Sequence, residues 1–429
     1  MDMKHSFRAA QCVLLLAGGT FVGAAQAATY YVATNGSDSA PGTLSAPFAT
    51  LQKAVDLANP GDTIYMRGGT YAAPTQVHIG RNGSSAAYVN LFNYPGEVPV
   101  LDGSGNTNAS AAVIVLDNVS WWHLKGLEVR NGSGWGIYVR GTTTNDILEL
   151  CNVHHNLRLG ESGGGINVEN ASNILILNND THNNGHIGSE GGSGITIGGS
   201  SGSGNVIRGN RIYHNNDNGL ALWNAYNVLV ENNWSFENGY DDSQGTLIHY
   251  PPGDGPGYKL GGSGSSVDGA HIVRNNLAWK NYYHGFDDNS ADQPLQVYNN
   301  TAWANGATGS GGTNFAFYSA VANVLTNNVA FTPNTVSFNA AVRQSFNSWN
   351  LALTVTSADF QSLDNSEVLG PRNADGSLPT ISFLKLAAGS QLIDKGTDVG
   401  LPYTGSAPDL GAYEYSSLPA PADLRQIVN

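Results

Sequence analysis

The feature that most constrains the fold is a short apolar, strand-like segment ending in one or two asparagines, which recurs along the chain. The asparagines are 23 residues apart between Asn210 and Asn233, 24 between Asn276 and Asn300, and 28 between Asn300 and Asn328. A period of this length is typical of a solenoid, and stacked asparagine side chains can hydrogen-bond from coil to coil. We therefore predict an all-β, single-stranded right-handed parallel β-helix with a short N-terminal capping helix.

Composition agrees with a β-solenoid and narrows the function. The chain has 54 glycines, only 12% charged residues and a net charge of −14. A helix bundle needs more charged helix formers, and an antiparallel β-sandwich would leave the regular asparagine spacing unexplained. The negative charge and the lack of basic clusters argue against binding nucleic acid or an anionic membrane surface.

The first 27 residues resemble a secretory signal. Lys4 and Arg8 precede an apolar stretch, and Ala25–Ala27 forms an A-x-A cleavage site. We expect the protein to be secreted or periplasmic. Cys12 would leave with the signal, so that Cys151 has no partner for a disulfide.

We expect residues 28–429 to form one domain. The N-terminal cap covers about residues 28–70 and contains a short helix over Pro47–Asn59, where apolar residues recur with helical spacing. The coils cover about 71–354, and an irregular tail covers about 355–429. One coil carries a glycine-rich insertion, Asp241–Gly264, and such loops often gather on the binding face of a solenoid.

A second strand of each coil begins with glycine, then an apolar residue, then a residue that should point outward because strand side chains alternate. Successive outward residues should lie about 4.8 Å apart on neighbouring coils. A lysine on such a rigid strand can serve as a base, or it can be a solvated lysine paired with the acid on the next coil. The outward residues are Tyr138, Asn167, Thr196, Ala221, Lys259 and Asp287.

The segment around the lysine, Gly255–Gly262, resembles the signature of family 9 polysaccharide lyases, and the resemblance covers nearly the whole chain after the signal. Tyr30–Gly36, His284–Asn289 and Leu392–Gly411 also match. The resemblance implies a right-handed parallel β-helix in which Lys259 removes the C5 proton of a uronic acid. It also implies a calcium ion that neutralises the substrate carboxylate.

The chain departs from this family at the expected calcium site. The family has an Asp-Asp-Gly-x-Asp run, whereas this sequence has Asp217, Asn218 and, at the last position, Ala221; a further family aspartate falls at Ser193. Asp217 and Asn218 are thus the remaining candidate calcium ligands. Calcium prefers several oxygen ligands including carboxylates, so we expect a weakened or absent site.

Three outcomes stay open at this point. A side chain could neutralise the substrate, with Arg211 as the binding candidate beside Arg158, His186 and His214. Calcium could use other oxygens, such as those of Glu190, Asp217 or Asp287. Lyase activity could also be lost. Asp287 and the aromatic Trp223, which lies near this row of outward residues, are further candidates for substrate binding.

The leading hypothesis is a polysaccharide lyase that cleaves a uronate polymer by β-elimination, with pectate as the default substrate. Rhamnogalacturonan, a bacterial exopolysaccharide, or C5 epimerisation are close variants. The rival class is a non-catalytic carbohydrate-binding β-helix. Hydrolysis by Asp287–Asp288 or Asp241–Asp242 is disfavoured, because adjacent strand residues point to opposite faces. We expect a monomer whose partner is an acidic polysaccharide.

Overall fold

A computed structural model describes residues 26–160, 162–186, 188–240, 248–249, 253–262, 268–333 and 335–416. The described chain winds into three parallel sheets of 12, 10 and 10 strands, here called sheets I, II and III. Neighbouring strands within each sheet come from successive coils, which confirms the predicted parallel β-helix.

Sheet I consists of β1 Thr29–Val32, β2 Thr63–Met66, β5 Val89–Asn93, β8 Trp122–Lys125, β11 Ile147–Glu149, β14 Leu175–Leu177, β17 Val206–Arg208, β20 Leu229–Glu231, β23 Ile272–Arg274, β26 Gln296–Tyr298, β29 Val324–Thr326 and β32 Arg343–Ser345. Sheet II consists of β4 Val77–Ile79, β7 Ile114–Asp117, β10 Trp135–Arg140, β13 Gly164–Glu169, β16 Ser193–Ser201, β19 Leu220–Ala225, β22 Tyr258–Lys259, β25 Phe286–Asp287, β28 Phe315–Phe317 and β31 Val336–Phe338. Sheet III consists of β3 Gly69–Ala72, β6 Pro99–Asp102, β9 Glu128–Arg130, β12 Asn152–His154, β15 Asp180–His182, β18 Arg211–Tyr213, β21 Trp234–Phe236, β24 Leu277–Trp279, β27 Thr301–Trp303 and β30 Val329–Phe331.

The recurring asparagines form a hydrogen-bonded ladder at the turn from sheet I to sheet III. Each buried amide donates to the amide oxygen on the next coil, as from Asn233 to Asn276 and from Asn276 to Asn300, both at 3.0 Å. In an Asn pair the two residues have different roles. The first, such as Asn232 or Asn275, takes a left-handed φ of 55° to make the turn, and the second enters the ladder.

A second asparagine ladder lies at the turn from sheet III to sheet II and explains the glycine at or just before the start of six consecutive sheet II strands, β10 to β25. Asn238 donates to Asn281 at 2.9 Å in this ladder. A Cβ atom on Gly257 would lie 2.6 Å from the Asn281 Nδ2 atom, and one on Gly219 would lie 2.7 Å from that of Asn238. Only glycine therefore allows the strand to run so close to the ladder.

The interior between the three sheets is apolar and runs the length of the coils. In sheet II the inward residues include a stack of aromatic rings, with Tyr258 and Phe286 centred 4.7 Å apart and Phe286 and Phe315 5.0 Å apart. Each coil thus buries its own apolar side chains against its neighbours, which stabilises the solenoid through the hydrophobic effect.

The capping helix α1, Leu51–Leu57, is shorter than the predicted Pro47–Asn59. The prediction began too early because Phe48 makes a bridge to Val32 in extended conformation. The helix begins after Thr50, whose side chain accepts a hydrogen bond from the Lys53 backbone. β1 and β2 already belong to sheet I, so the first strands of the solenoid lie within the segment assigned to the cap.

The described part of the C-terminal segment has little regular structure apart from a 3₁₀ turn at Ser357–Asp359. It packs along sheet III through a second apolar cluster in which Phe360 and Phe383 meet Trp279 and Val329. In the part of the chain that the structure describes, no helix is long and apolar enough to span a membrane. The predicted signal lies almost wholly outside the described residues, as does much of the predicted insertion, so both stay predictions.

Candidate active site on sheet II

The outward ladder on sheet II has the predicted register. Thr196 pairs with Ala221, Ala221 with Lys259, and Lys259 with Asp287, so that these residues occupy successive coils. Towards the N-terminus the ladder continues through Asn167 and Tyr138. Glycine spacing alone was therefore sufficient to place the lysine beside Asp287 on one face of the sheet.

The strand that bears Lys259 is held rigidly from inside the coil. Tyr258 is fully buried, and its hydroxyl donates to the backbone carbonyls of Asn233 and Leu277 at 2.9 and 3.1 Å. Because side chains alternate along a strand, fixing Tyr258 inward fixes Lys259 outward. The lysine side chain is 24% exposed, so it is partly open to solvent on the outer face of sheet II.

The Lys259 amine contacts Asp254 rather than Asp287. Its Nζ atom is 3.5 Å from Asp254 Oδ2, and this carboxylate is 62% exposed. An exposed ion pair of this length contributes little stability, so an incoming ligand can displace it easily. The sequence did not single out Asp254, because it lies in the insertion, where the coil repeat gives no register.

Asp287, on the rung after Lys259, is 8% exposed. Its carboxyl accepts a 2.8 Å hydrogen bond from the Asn289 backbone. Burial, with a smaller contribution from neighbouring Asp288, raises the pKa of Asp287 to about 7, although the charge of Lys259 acts in the opposite direction. Asp287 therefore carries its proton over a much wider pH range than an exposed aspartate does.

Asp217 lies on the other side of the lysine, just before β19. Ser193 donates to its Oδ2 atom at 3.3 Å, the Asn218 amide donates to the same atom, and the Asp254 backbone donates to Oδ1 at 3.2 Å. Burial raises the pKa of Asp217, and the positive charge of Lys259 partly offsets this rise. Asp217 and Asp287, before and after the lysine, are thus both desolvated, whereas Asp254 is exposed.

These residues do not fit the calcium site that the resemblance implies. Asp217 is the single carboxylate among the four expected ligand positions, and its Oδ2 atom already accepts hydrogen bonds from Ser193 and Asn218. The Oδ1 atom of Asn218 is buried without a partner, but Ala221 offers no oxygen. Across the described residues, no cluster of three acidic, histidine or cysteine side chains could hold a metal ion.

The structure brings Trp223 to the ladder but not Arg211. Trp223 is two residues beyond Ala221 on β19, points to the same outer face and is 53% exposed. Arg211 begins β18 on sheet III, is buried, and forms an ion pair with Asp180 at 2.5 Å. It also donates to backbone carbonyls of the C-terminal segment at 2.8 and 3.0 Å, so its contacts are structural.

The neighbouring acid, Asp288, has a structural environment of its own. It is fully buried, and its two oxygens accept hydrogen bonds from the backbones of Tyr318 and Ser319 and from the Asn323 amide. Asp288 therefore does not share a substrate-facing surface with Asp287. This agrees with the expectation from strand alternation that the pair does not form a hydrolase site.

Fold and site together define a parallel β-helix protein with a long outer face and a lysine between the desolvated carboxyl groups of Asp217 and Asp287. The family described as "Pel9A-like, right handed beta helix region" matches residues 30–334. This chain belongs to that family.

Curated relatives and solved structures agree with this assignment. Pectate lyase PEL9 of Emericella nidulans is 33% identical over 85% of this chain and 94% of its own length. Pectate lyase L of Paenibacillus polymyxa is 37% identical over 86% and 84%. The crystal structure of pectate lyase Pel9A is similar with a TM-score of 0.77 and 28% identity, covering 91% of this chain and 96% of its own. A rhamnogalacturonan lyase structure has a TM-score of 0.72 and 27% identity, covering 84% and 96%. The chain is therefore a polysaccharide lyase of the pectate-lyase type.

Proposed function

We propose that this protein cleaves a uronate-containing polysaccharide by β-elimination with Lys259 as the base. The observation that carries the proposal is the place of Lys259, on a rigid outward rung with its amine accessible on the long face of sheet II. The contact with Asp254 is exposed, so a bound polymer can replace it.

The elimination breaks two bonds and forms one double bond. The neutral Lys259 amine takes the proton from C5 of a uronic acid, and the electrons of that C–H bond form the C4–C5 double bond. The C4–O4 bond breaks, and the leaving oxygen takes a proton from solvent. Removal of the C5 proton requires that the charge of the adjacent carboxylate be offset, because charge develops there in the transition state.

Asp287 is our candidate for this second role. It lies one rung from Lys259, and in its protonated form it can donate a hydrogen bond to the substrate carboxylate. Such a bond would stabilise developing negative charge without a metal ion. We therefore propose that turnover does not depend on calcium at the Asp217–Asn218 position, and no step here uses the ion.

Pectate is the first substrate to test, since the curated relatives described above are pectate lyases. Rhamnogalacturonan is the second candidate. It is favoured by the similarity to a rhamnogalacturonan lyase and by the loss of three of the four expected carboxylates. An enzyme for either polymer would act outside the cytoplasm, in agreement with the signal predicted at residues 1–27.

The test is an ultraviolet absorbance assay for the unsaturated C4–C5 product, run on both polymers with added calcium and with chelator. We expect absorbance to grow in chelator with the wild type and with Lys395→Ala, an exposed lysine used as control. Lys259→Ala should give no growth while still binding the polymer. Growth that requires calcium would refute the metal-free proposal. No product on any uronate polymer, with binding retained, would leave the carbohydrate-binding alternative.

A further inference from the structure

A groove lies between the C-terminal segment and the corner where sheet I turns into sheet III, away from the outward face of sheet II. It encloses about 970 Å³. The coils contribute the turn asparagines Asn178, Asn232 and Asn275, and the C-terminal segment contributes Lys385 and Tyr415, among other residues. We call this feature the tail groove.

Lys385 is the most informative residue of the tail groove. Its side chain is partly buried, and burial alone lowers its pKa. Among the described residues no carboxylate lies within ion-pair distance of its amine, and the Nζ atom lies 5.9 Å from the centroid of the Tyr413 ring. A partly desolvated cation without an anion is unfavourable unless a ligand supplies the negative charge.

The remaining charges of the groove also favour an anion. Arg208 lines it and shares the carboxylate of Glu231 with Arg274, at 2.5 and 2.6 Å, so that two guanidinium groups face one carboxylate. The acid in the lining is Glu414, whose pKa is raised to about 7 by burial and by the nearby charge of Asp409. The chain as a whole has a charge of −14, so this positive surplus is local.

We propose that the tail groove is a second, non-catalytic binding site for an anionic, uronate-containing saccharide, with Lys385 pairing with a sugar carboxylate. Tyr415 offers an aromatic side chain for packing against a sugar ring, and the exposed Asn232 offers an amide for its hydroxyl groups. The site takes part in no bond breaking. It holds polymer on the enzyme while other stretches of the same polymer meet sheet II.

The groove can be tested separately from catalysis in the full-length Lys259→Ala protein, which leaves the polymer intact. Binding of oligogalacturonate and of polygalacturonate is measured by titration calorimetry and by retardation in polymer-containing native gels. We expect Lys385→Gln to weaken binding at this site about tenfold, as for the loss of one charge-assisted hydrogen bond, and to lower retardation. Lys385→Arg should restore most of the binding. Lys395→Gln, in the same segment but exposed, should change nothing.

A second readout uses enzymes with Lys259 intact. Lys385→Gln should release product from short oligomers at the wild-type rate but act more slowly on long polymer. Equal binding by Lys385→Gln and its parent would overturn the proposal, as would a loss that Lys385→Arg and Lys395→Gln share. Because the binding measurement requires no unsaturated product, failure of the elimination proposal and failure of the groove proposal can be told apart.

Discussion

Replacing Asp287 with asparagine tests how the site controls charge. The carboxyl has a pKa of about 7 in place of the ordinary 3.8, because it is buried and lies near Asp288, although the charge of Lys259 acts in the opposite direction. A difference of about three pKa units disfavours the ionised form by about 4 kcal/mol. The folded protein binds more protons than the unfolded chain between these two values, so this carboxyl lowers stability progressively as the pH rises from about 4 to about 7. The amide introduced by Asp287→Asn would keep the hydrogen bond from the Asn289 backbone and could not ionise.

The expected result is a pH-dependent gain in stability. Asp287→Asn and the wild type should differ little in free energy of unfolding at about pH 4, and the variant should be more stable by about 2–4 kcal/mol at about pH 8. The measurement is urea unfolding followed by tryptophan fluorescence across this range. Asp254→Asn is the control, since that carboxylate is exposed and should contribute less than about 0.5 kcal/mol. A difference that is constant with pH, or one that favours the wild type at high pH, would refute this reasoning.

The same variant separates two roles for Asp287 in catalysis. If a protonated carboxyl donates to the substrate, the amide of Asp287→Asn can replace it at every pH. The ratio of kcat/KM for the variant to that for the wild type should then rise as the pH passes about 7, where the wild-type carboxyl ionises. A ratio that falls over the same range would indicate that the ionised aspartate is the active form.

Three further predictions concern the asparagine ladder between sheets I and III, the C-terminal segment and the outer face of sheet II. Asn276→Ala removes five hydrogen bonds, four of them buried, and should lower the free energy of unfolding by about 4 kcal/mol, whereas Asn227→Ala at an exposed turn should cost about 1 kcal/mol in urea unfolding. Arg211→Ala leaves Asp180 with Arg372 as its remaining ion-pair partner and should cost about 3 kcal/mol. It should also speed limited proteolysis of the C-terminal segment, and unchanged proteolysis would contradict this role. Trp223→Ala should leave stability within about 0.5 kcal/mol and raise KM for polymer more than it changes kcat, because the ring is exposed on the outer face.

The ladder on sheet II was predictable because it follows from two local rules. Glycine marks the start of the strands from β10 to β25, and alternation then fixes which residue points outward, so Lys259 and Asp287 can be placed without a structure. The prediction placed Arg211 nearer to the site. Arg211 directly follows Asn210 of the asparagine ladder between sheets I and III, and this position puts it on sheet III. Asp254 could not be placed, because the insertion breaks the repeat and sets its own path. The tail groove depends on a segment without periodicity, and only the packing of that segment brings Lys385 to the asparagine turns.

The missing carboxylates and the proposed lack of calcium follow from one electrostatic condition. A set of four aspartates can face a polyanionic substrate only if a divalent cation offsets their charge, and without the ion they would repel it. Here Ser193, Asn218 and Ala221 remove three of those charges, and burial favours the protonated forms of Asp217 and Asp287. Restoring one aspartate, as in Ala221→Asp, should therefore weaken polymer binding, because it adds a charge one rung from Lys259 without completing a metal site. Tighter binding of polymer by Ala221→Asp in chelator would show that this condition does not govern the site.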